Sequence, residues 1–192
     1  ERRPLGSTLH FDYGPADELL SSTDADGITT TFTYDLRLRK RSETNALDEV
    51  TLFDYDDRGL RTAIIKPESE EHRWEFDYDA AGRLELVTDP LGNETAYGYD
   101  LADNLTSVTN ARDQPTIHEY DELNRLVRTE HPGGAVELFT PDAEGNRVAW
   151  VREIGMRLEM EYDPLNRLVE TRRLPAAADG IARVKRFHDG NG

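Results

Sequence analysis

Tyr78-Asp79-Ala80-Ala81-Gly82-Arg83-Leu84-Glu85-Leu86-Val87-Thr88-Asp89-Pro90-Leu91-Gly92-Asn93-Glu94-Thr95-Ala96-Tyr97-Gly98-Tyr99-Asp100 ends on the dipeptide with which it begins. The same pair stands at Tyr34-Asp35, Tyr55-Asp56, Tyr120-Asp121 and Tyr162-Asp163, and degenerate copies fall in step at Tyr13-Gly14 and Pro141-Asp142. The spacing is 21 residues, except for 23 between Tyr55 and Tyr78. Self-similarity at a fixed period marks a repeat architecture, here of at least eight units.

Other positions recur in step with the pair. Two residues before each tyrosine position stand Phe11, Phe32, Phe53, Phe76, Tyr97, His118, Phe139 and Met160, and four before it stand Thr30, Thr51, Trp74, Thr95 and Thr116. Large or β-branched side chains at every second residue define one face of a strand, because strand side chains alternate with period two. After the aspartate comes a short polar stretch with Gly59, Gly82, Asn104, Asn124, Gly145 or Asn166. Fourteen residues after the tyrosine position come Gly27, Asp48, Gly92, Asp113, Gly134 and Gly155. Gly, Asn and Asp tolerate the positive φ of tight turns. Two turns per 21 residues leave roughly seven or eight residues for each of two strands, so each repeat reads as a β-hairpin. The fold expected is all-β, a long antiparallel sheet of hairpins that curls into an arc.

The irregularities fall in turns, where insertions are tolerated: two extra residues around 66–71, and a longer spacer through Pro175-Ala176-Ala177-Ala178-Asp179-Gly180. Beyond it the register blurs, with Phe187 or His188 as the ninth tyrosine position. The whole chain, 1–192, is expected to be one repeat module, clear over 9–175 and degenerate over 176–192. Opening on Glu1-Arg2-Arg3 without an initiator Met, it reads as a fragment of a larger protein.

A net charge of -16 and a pI near 4.7 oppose binding to nucleic acid through phosphates, which needs clustered Lys and Arg. With no cysteine there is no disulfide, thiolate nucleophile or Cys-ligated metal. The apolar runs are a few residues long, far short of the roughly 18 of a membrane span. Hydrophobic residues make up 36% of the chain and charged residues 32%, a balance close to that of disordered chains. The periodic aromatics decide instead for a thin, single-layer sheet with wet faces.

The pattern Tyr-Asp-x-x-Gly-Arg-Leu, then Pro-x-Gly and a return to Tyr-x-Tyr-Asp, resembles the YD repeat of the Rhs family. Residues 78–100 match nearly position for position, and Tyr120 to Leu126 and Tyr162 to Leu168 match with Asn in place of Gly. That resemblance covers about residues 9–175 and extends to bacterial Rhs polymorphic toxins, the C components of Tc toxins, and teneurins. It implies hairpins joined edge to edge into a spiral shell, with bacterial shells enclosing a C-terminal toxin. It further implies a non-enzymatic, structural role without cofactors, with partners in the remaining repeats, the enclosed toxin and secretion apparatus proteins. The expected localisation is bacterial, cytoplasmic before export and then secreted or delivered to a target cell. Some family members also allow the alternative of a carbohydrate- or cell-surface-binding module.

The repeat-defining residues are Tyr34, Asp35, Tyr55, Asp56, Tyr78, Asp79, Gly82, Tyr99, Asp100, Tyr120, Asp121, Tyr162 and Asp163. The tyrosines are expected to form a ladder with fillers six residues further on, namely Leu19, Leu84, Leu105, Leu126 and Leu168, with Lys40, Arg61 and Arg147 laying aliphatic stems in the same place. On that reading Tyr99→Ala costs about 3 kcal/mol. The aspartates have a structural use, accepting backbone N–H groups in Asx turns.

Other motifs carry less. His10, His72, His118, His131 and His188 lack metal-ligand spacing, and His118 takes an aromatic's place on its strand. Asp24-Ala25-Asp26-Gly27 begins like a calcium loop but lacks the later ligands, so it reads as a hairpin turn. Asp89-Pro90-Leu91-Gly92 looks superficially like part of the Asp-Pro-x-Gly motif that closes Rhs cores; it sits at a repeat turn without the Leu-x-Gly-Gly continuation and is assigned no activity. No Gly-x-Ser-x-Gly elbow is present. Asn93-Glu94-Thr95 and Asn104-Leu105-Thr106 fit a glycosylation pattern that matters only in a secreted eukaryotic protein.

Overall fold

In the computed structural model, residues 8–67, 72–152 and 155–174 are described. The 175–180 spacer, Phe187, His188 and residues 68–71 of the insertion lie outside them. The described secondary structure is entirely β, with strands ordered in the sheet as in the sequence and without crossovers. The contacts divide the chain into two compact units, residues 1–96 and 97–192.

The first unit contains β1 (His10–Tyr13), β2 (Leu19–Thr23), β3 (Thr29–Tyr34), β4 (Lys40–Thr44), β5 (Val50–Tyr55), β6 (Arg61–Ile65), β7 (Arg73–Tyr78), β8 (Leu84–Thr88) and the start of β9 (Glu94–Tyr99). The second contains the end of β9, then β10 (Leu105–Thr109), β11 (Pro115–Tyr120), β12 (Leu126–Glu130), β13 (Val136–Pro141), β14 (Arg147–Arg152), β15 (Arg157–Tyr162) and β16 (Leu168–Leu174). Strands of mostly five or six residues are shorter than the spacing of turn signals implies. The difference lies in the loops, most of which take up five residues closed by backbone hydrogen bonds.

Asp35–Arg39 shows the loop. The Asp35 N–H donates to the Arg39 carbonyl at 2.9 Å and the Leu38 N–H to the Asp35 carbonyl at 3.0 Å. This is a tight turn followed by one left-handed residue. Four residues after the tyrosine position that residue is Asp17, Leu38, Gly59, Gly82, Asp103, Asn124, Gly145 or Asn166, every one with φ between 57° and 92°. Asp103, not Asn104, therefore occupies the left-handed site of its repeat, one residue earlier than the Asn signal indicates. Leu38 (φ 59°) breaks the residue preference altogether. The second turn of the repeat uses the same conformation at Gly27, Asp48, Gly92, Asp113, Gly134 and Gly155.

The YD hairpins whose register is described also carry a bulge. Thr33 opposes Ser42 but Tyr34 opposes Lys40, leaving Arg41 as the extra residue. The same shift recurs before Tyr55, Tyr78, Tyr120, Pro141 and Tyr162. A bulge at the same place in successive YD hairpins bends the strand and raises its local twist.

The register separates two faces. One carries the aromatic row, in which Phe53 opposes Ile64 and Ile64 opposes Trp74, while Phe76 opposes Val87 and Val87 opposes Thr95. In the second unit, Phe139 opposes Trp150, which opposes Leu158. The other face brings small residues to the middle of the sheet, with Ser42, Ala63 and Ala149 buried there. Among the described residues the buried set is short: Phe53, Ala63, Ala149, Ser42 and Thr129, with no large side chain fully enclosed. Burial is therefore spread thinly along the row, as a single-layer sheet requires.

Half-buried tyrosines lower the cost expected of truncation. Tyr120→Ala should cost about 2 kcal/mol, half a buried ring plus one hydrogen bond, Tyr99→Ala about 1–2 kcal/mol for its half-buried ring, and Tyr120→Phe about 1 kcal/mol, measured by urea unfolding. Leu38→Gly relieves a left-handed leucine and should raise stability by about 0.5–1 kcal/mol in the same assay.

Candidate functional site

The residues that define the repeat converge on two kinds of junction, one within each YD turn and one between successive hairpins. Within the turn, the aspartate gathers the loop. Asp35 Oδ1 accepts from the Arg37 N–H at 2.8 Å and the Arg39 N–H at 3.0 Å, while Oδ2 takes the Arg39 Nε at 2.7 Å. Asp79 with Ala81 and Arg83, Asp121 with Leu123 and Arg125, and Asp163 with Leu165 and Arg167 repeat this arrangement. In the Asp100 turn the arginine is replaced by Asn104, whose Nδ2 donates to Asp100 Oδ2 at 2.9 Å. Asp56 receives the Leu60 N–H on Oδ1 and the Arg58 Nε on Oδ2. The second turns use the same device: Asp24 Oδ1 accepts the Asp26 and Ile28 N–H groups, and Asn45 Oδ1 those of Leu47 and Glu49. Asp24-Ala25-Asp26-Gly27 is thus a hairpin turn.

These hydrogen bonds favour the charged carboxylate. The pKa values of Asp35, Asp79 and Asp163 are lowered, chiefly by the backbone N–H of the residue four further on, and that of Asp121 is lowered chiefly by the Arg125 side chain. At Asp56 burial is the largest influence and acts upward, but the Arg58 and Leu60 donors together outweigh it and the pKa is lowered there too.

Between hairpins, the tyrosine reaches back to the preceding repeat. The Tyr34 hydroxyl donates to the Leu19 carbonyl at 2.9 Å, Tyr55 to Lys40 at 2.8 Å, Tyr78 to Arg61 at 2.9 Å, Tyr120 to Leu105 at 2.9 Å and Tyr162 to Arg147 at 3.2 Å. In each case the acceptor belongs to the residue beside the bulge, six after the previous tyrosine position. Burial, followed by the nearby Asp100 charge, raises the Tyr120 pKa, so this hydroxyl keeps its proton for the bond. The fillers differ from a simple Tyr–Leu ladder in one respect: Lys40 places its ammonium 5.4 Å from the Phe32 ring and 4.8 Å from that of Phe53, and the Arg147 guanidinium lies 4.2 Å from the Phe139 ring. Cations over ring faces add attraction to packing.

The arginine five residues after the tyrosine position has no role apparent from spacing, yet it joins one turn to the next. The Arg39 guanidinium donates to the Asp56 carbonyl at 2.9 Å and lies 4.8 Å over the Tyr55 ring; in the next repeat, where Leu60 holds this position, Arg58 three residues after Tyr55 donates to the Asp79 carbonyl at 2.8 Å. Arg125 donates to the Asp142 carbonyl in the second unit. Where Asn takes this position, amides substitute: Asn104 Nδ2 donates to Asn124 Oδ1 at 2.8 Å and Asn146 Nδ2 to Asn166 Oδ1 at 3.1 Å. The Arg of Tyr-Asp-x-x-Gly-Arg, recurring with the pair, was the available signal.

The opposite face carries mixed charge. Arg73 bridges Asp54 and Glu75, and Arg128 bridges Glu119 and Glu130. Among the described residues no three His, Asp or Glu side chains come together as a metal-holding group. His118 meets Thr129 across the strands at 3.0 Å. No helix among the described residues is long and apolar enough to cross a membrane.

Comparison with known proteins matches the RHS Repeat family model at residues 78–115 and 99–136. The chain is 32% identical over 153 residues to Toxin protein Tse5 of Pseudomonas aeruginosa, a match covering 74% of this chain and 11% of that protein. It is 30% identical over 139 residues to the tRNA3(Ser)-specific nuclease WapA of Bacillus spizizenii, covering 66% of this chain and 6% of the relative. Among solved structures, that of TcdB2-TccC3-TEV superposes with a TM-score of 0.54 at 14% identity, over 86% of this chain and 11% of the other, a likeness of fold. The chain thus spans about a tenth or less of the length of these relatives.

Because the turn carboxylates have lowered pKa values, the unfolded chain takes up protons first as the pH falls. Their contribution is fully present above the ordinary aspartate pKa of about 3.9 and disappears as the pH drops through the lower folded values. Thermal melting should therefore hold steady near neutrality and decline below about pH 4. Asp79→Asn, which keeps the Oδ1 acceptor as Asn45 does, should melt slightly lower at pH 7 and show a shallower acid decline, whereas Asp79→Ala should melt lower still.

Proposed function

Since this chain belongs to the YD-repeat family of Rhs proteins, we propose that it is a structural segment of a β-shell which encloses a C-terminal toxin domain and helps deliver it, with no catalysis by the repeats. The observation that carries this reading is where the polar groups are used. Turn arginines and tyrosine hydroxyls of successive repeats are engaged in joining hairpin to hairpin, with the turn aspartates holding the arginines, an arrangement that makes a continuous wall. Strands about 4.8 Å apart with their backbone groups paired leave no opening for a polypeptide or a protease. Similarity to a protein named as a toxin and to others named as tRNA nucleases supports a toxin-bearing parent, whose activity would reside in a separate domain.

On this reading residues 9–174 are one stretch of repeat wall, and its partners are the remaining repeats, the enclosed toxin and the secretion apparatus. The protein is made in the bacterial cytoplasm, where a steric barrier keeps the cargo from the producing cell, and is then exported or delivered. Release requires the wall to open or the cargo to unfold.

The test is limited proteolysis of the full-length parent followed by mass spectrometry. The segment downstream of the repeats should survive in the parent and be digested when expressed alone. Equal digestion in both settings would overturn the container reading, and binding of the repeat segment to a glycan array would then favour an adhesion module.

A further inference from the structure

The seventh repeat lacks its tyrosine. Pro141 stands in the place held elsewhere by Tyr34, Tyr55, Tyr78, Tyr120 and Tyr162, in a bulged pair with Arg147 where a missing N–H is tolerated. Beside it opens a cleft of about 270 Å³ lined by Arg125, Leu126, Phe139, Pro141, Gly145 and Arg147.

The third repeat shows what fills this position when the tyrosine is present. The Tyr55 ring lies 4.8 Å from the Arg39 guanidinium, and its hydroxyl donates to the Lys40 carbonyl at 2.8 Å. Arg39 and Lys40 follow Tyr34 by five and six residues, as Arg125 and Leu126 follow Tyr120. Arg125 is held as Arg39 is: Nε of each bonds its turn aspartate at 2.7 Å, and the guanidinium of each donates to a carbonyl of the next turn. The cation and the carbonyl that receive a phenol are thus both present, while Pro141 supplies neither ring nor hydroxyl. Among the described residues no tyrosine hydroxyl reaches the Leu126 carbonyl, although the equivalent carbonyls of Leu19, Lys40, Arg61, Leu105 and Arg147 each accept one. The cleft is also lined by the Phe139 ring, with the Arg147 guanidinium 4.2 Å from its centre, and among the described residues no carboxylate pairs with Arg147.

We propose that this cleft binds a tyrosine side chain presented by another polypeptide segment, its ring packed between Arg125 and Phe139 and its hydroxyl donating to the Leu126 carbonyl. Two guanidinium groups at the cleft favour an electron-rich ring over an aliphatic occupant, and a carbonyl at the position that accepts a tyrosine hydroxyl in other repeats selects a ring that carries a donor. This site does not depend on encapsulation, since any partner with an exposed tyrosine satisfies it.

The probe is p-cresol, the side chain of tyrosine, titrated into the 192-residue chain and followed by heteronuclear NMR. Saturable shifts should be confined to Arg125, Leu126, Phe139, Arg147 and their neighbours. 4-Methylanisole, whose oxygen cannot donate, should bind about tenfold more weakly, equivalent to about 1.4 kcal/mol. Pro141→Tyr should restore the repeat's own ring, raise the melting temperature and abolish the shifts. Should that variant fail to fold, Pro141→Phe provides the same exclusion test without the hydroxyl. Absence of shifts, shifts spread evenly along the aromatic row, equal binding of the two probes, or p-cresol binding undiminished in a folded Pro141 variant would each overturn the proposal.

Discussion

Most of the described reversals of the chain rest on one left-handed residue beside a carboxylate or amide that collects the N–H groups of its own loop. A five-residue loop leaves those groups without strand partners, and each unmet backbone donor carries a desolvation cost whenever water is kept away. The Asp side chain meets two of them and pins the arginine or asparagine that reaches the next turn. Once the loop is closed in this way the register of the hairpin is set, the bulge falls beside the tyrosine, and the carbonyl at the bulge faces the hydroxyl of the following repeat. Turn chemistry therefore propagates laterally, from loop to strand pair to neighbouring hairpin.

This mode of construction explains how a chain with so few buried side chains can hold a regular sheet. A two-layer domain concentrates its stability in an enclosed core. Here most repeats contribute a modest lateral increment: a ring against an aliphatic stem, one hydroxyl bond, one clamp between turns. Repeat proteins are stabilised in this nearest-neighbour fashion, and the sum grows with the number of units. The charged groups outside this scheme, such as Arg73 among Asp54 and Glu75, lie on the face opposite the aromatic row, and the acidic excess keeps a long sheet soluble.

Regularity also makes departures readable. Repeated groups are structural in all copies or in none, whereas a position that differs from its equivalents exposes whatever the common residue was doing. At Pro141 the substitution removes a ring and a donor while leaving their receiving partners in place. The Leu38 turn shows the reverse case, in which the conformation persists although the residue no longer favours it, because the flanking hydrogen bonds of Asp35 hold it there.

Period, hairpin character, aromatic face and turn positions were all legible in the one-dimensional pattern, because each depends on local preferences: φ sign at Gly, Asn and Asp, and alternation along a strand. The left-handed sites at Asp103 and Leu38 were misread or missed for the same reason, since local preference is overruled there by the closing hydrogen bonds of the loop. What the tertiary structure alone decided is which groups meet across 8 to 21 residues of sequence: tyrosine hydroxyl to the carbonyl beside the previous bulge, turn arginine to the next turn, lysine between two phenylalanine rings. Those meetings depend on the bulge register, where a shift of one residue exchanges the faces of a strand, and no single repeat encodes them because each forms only when its neighbour is paired alongside.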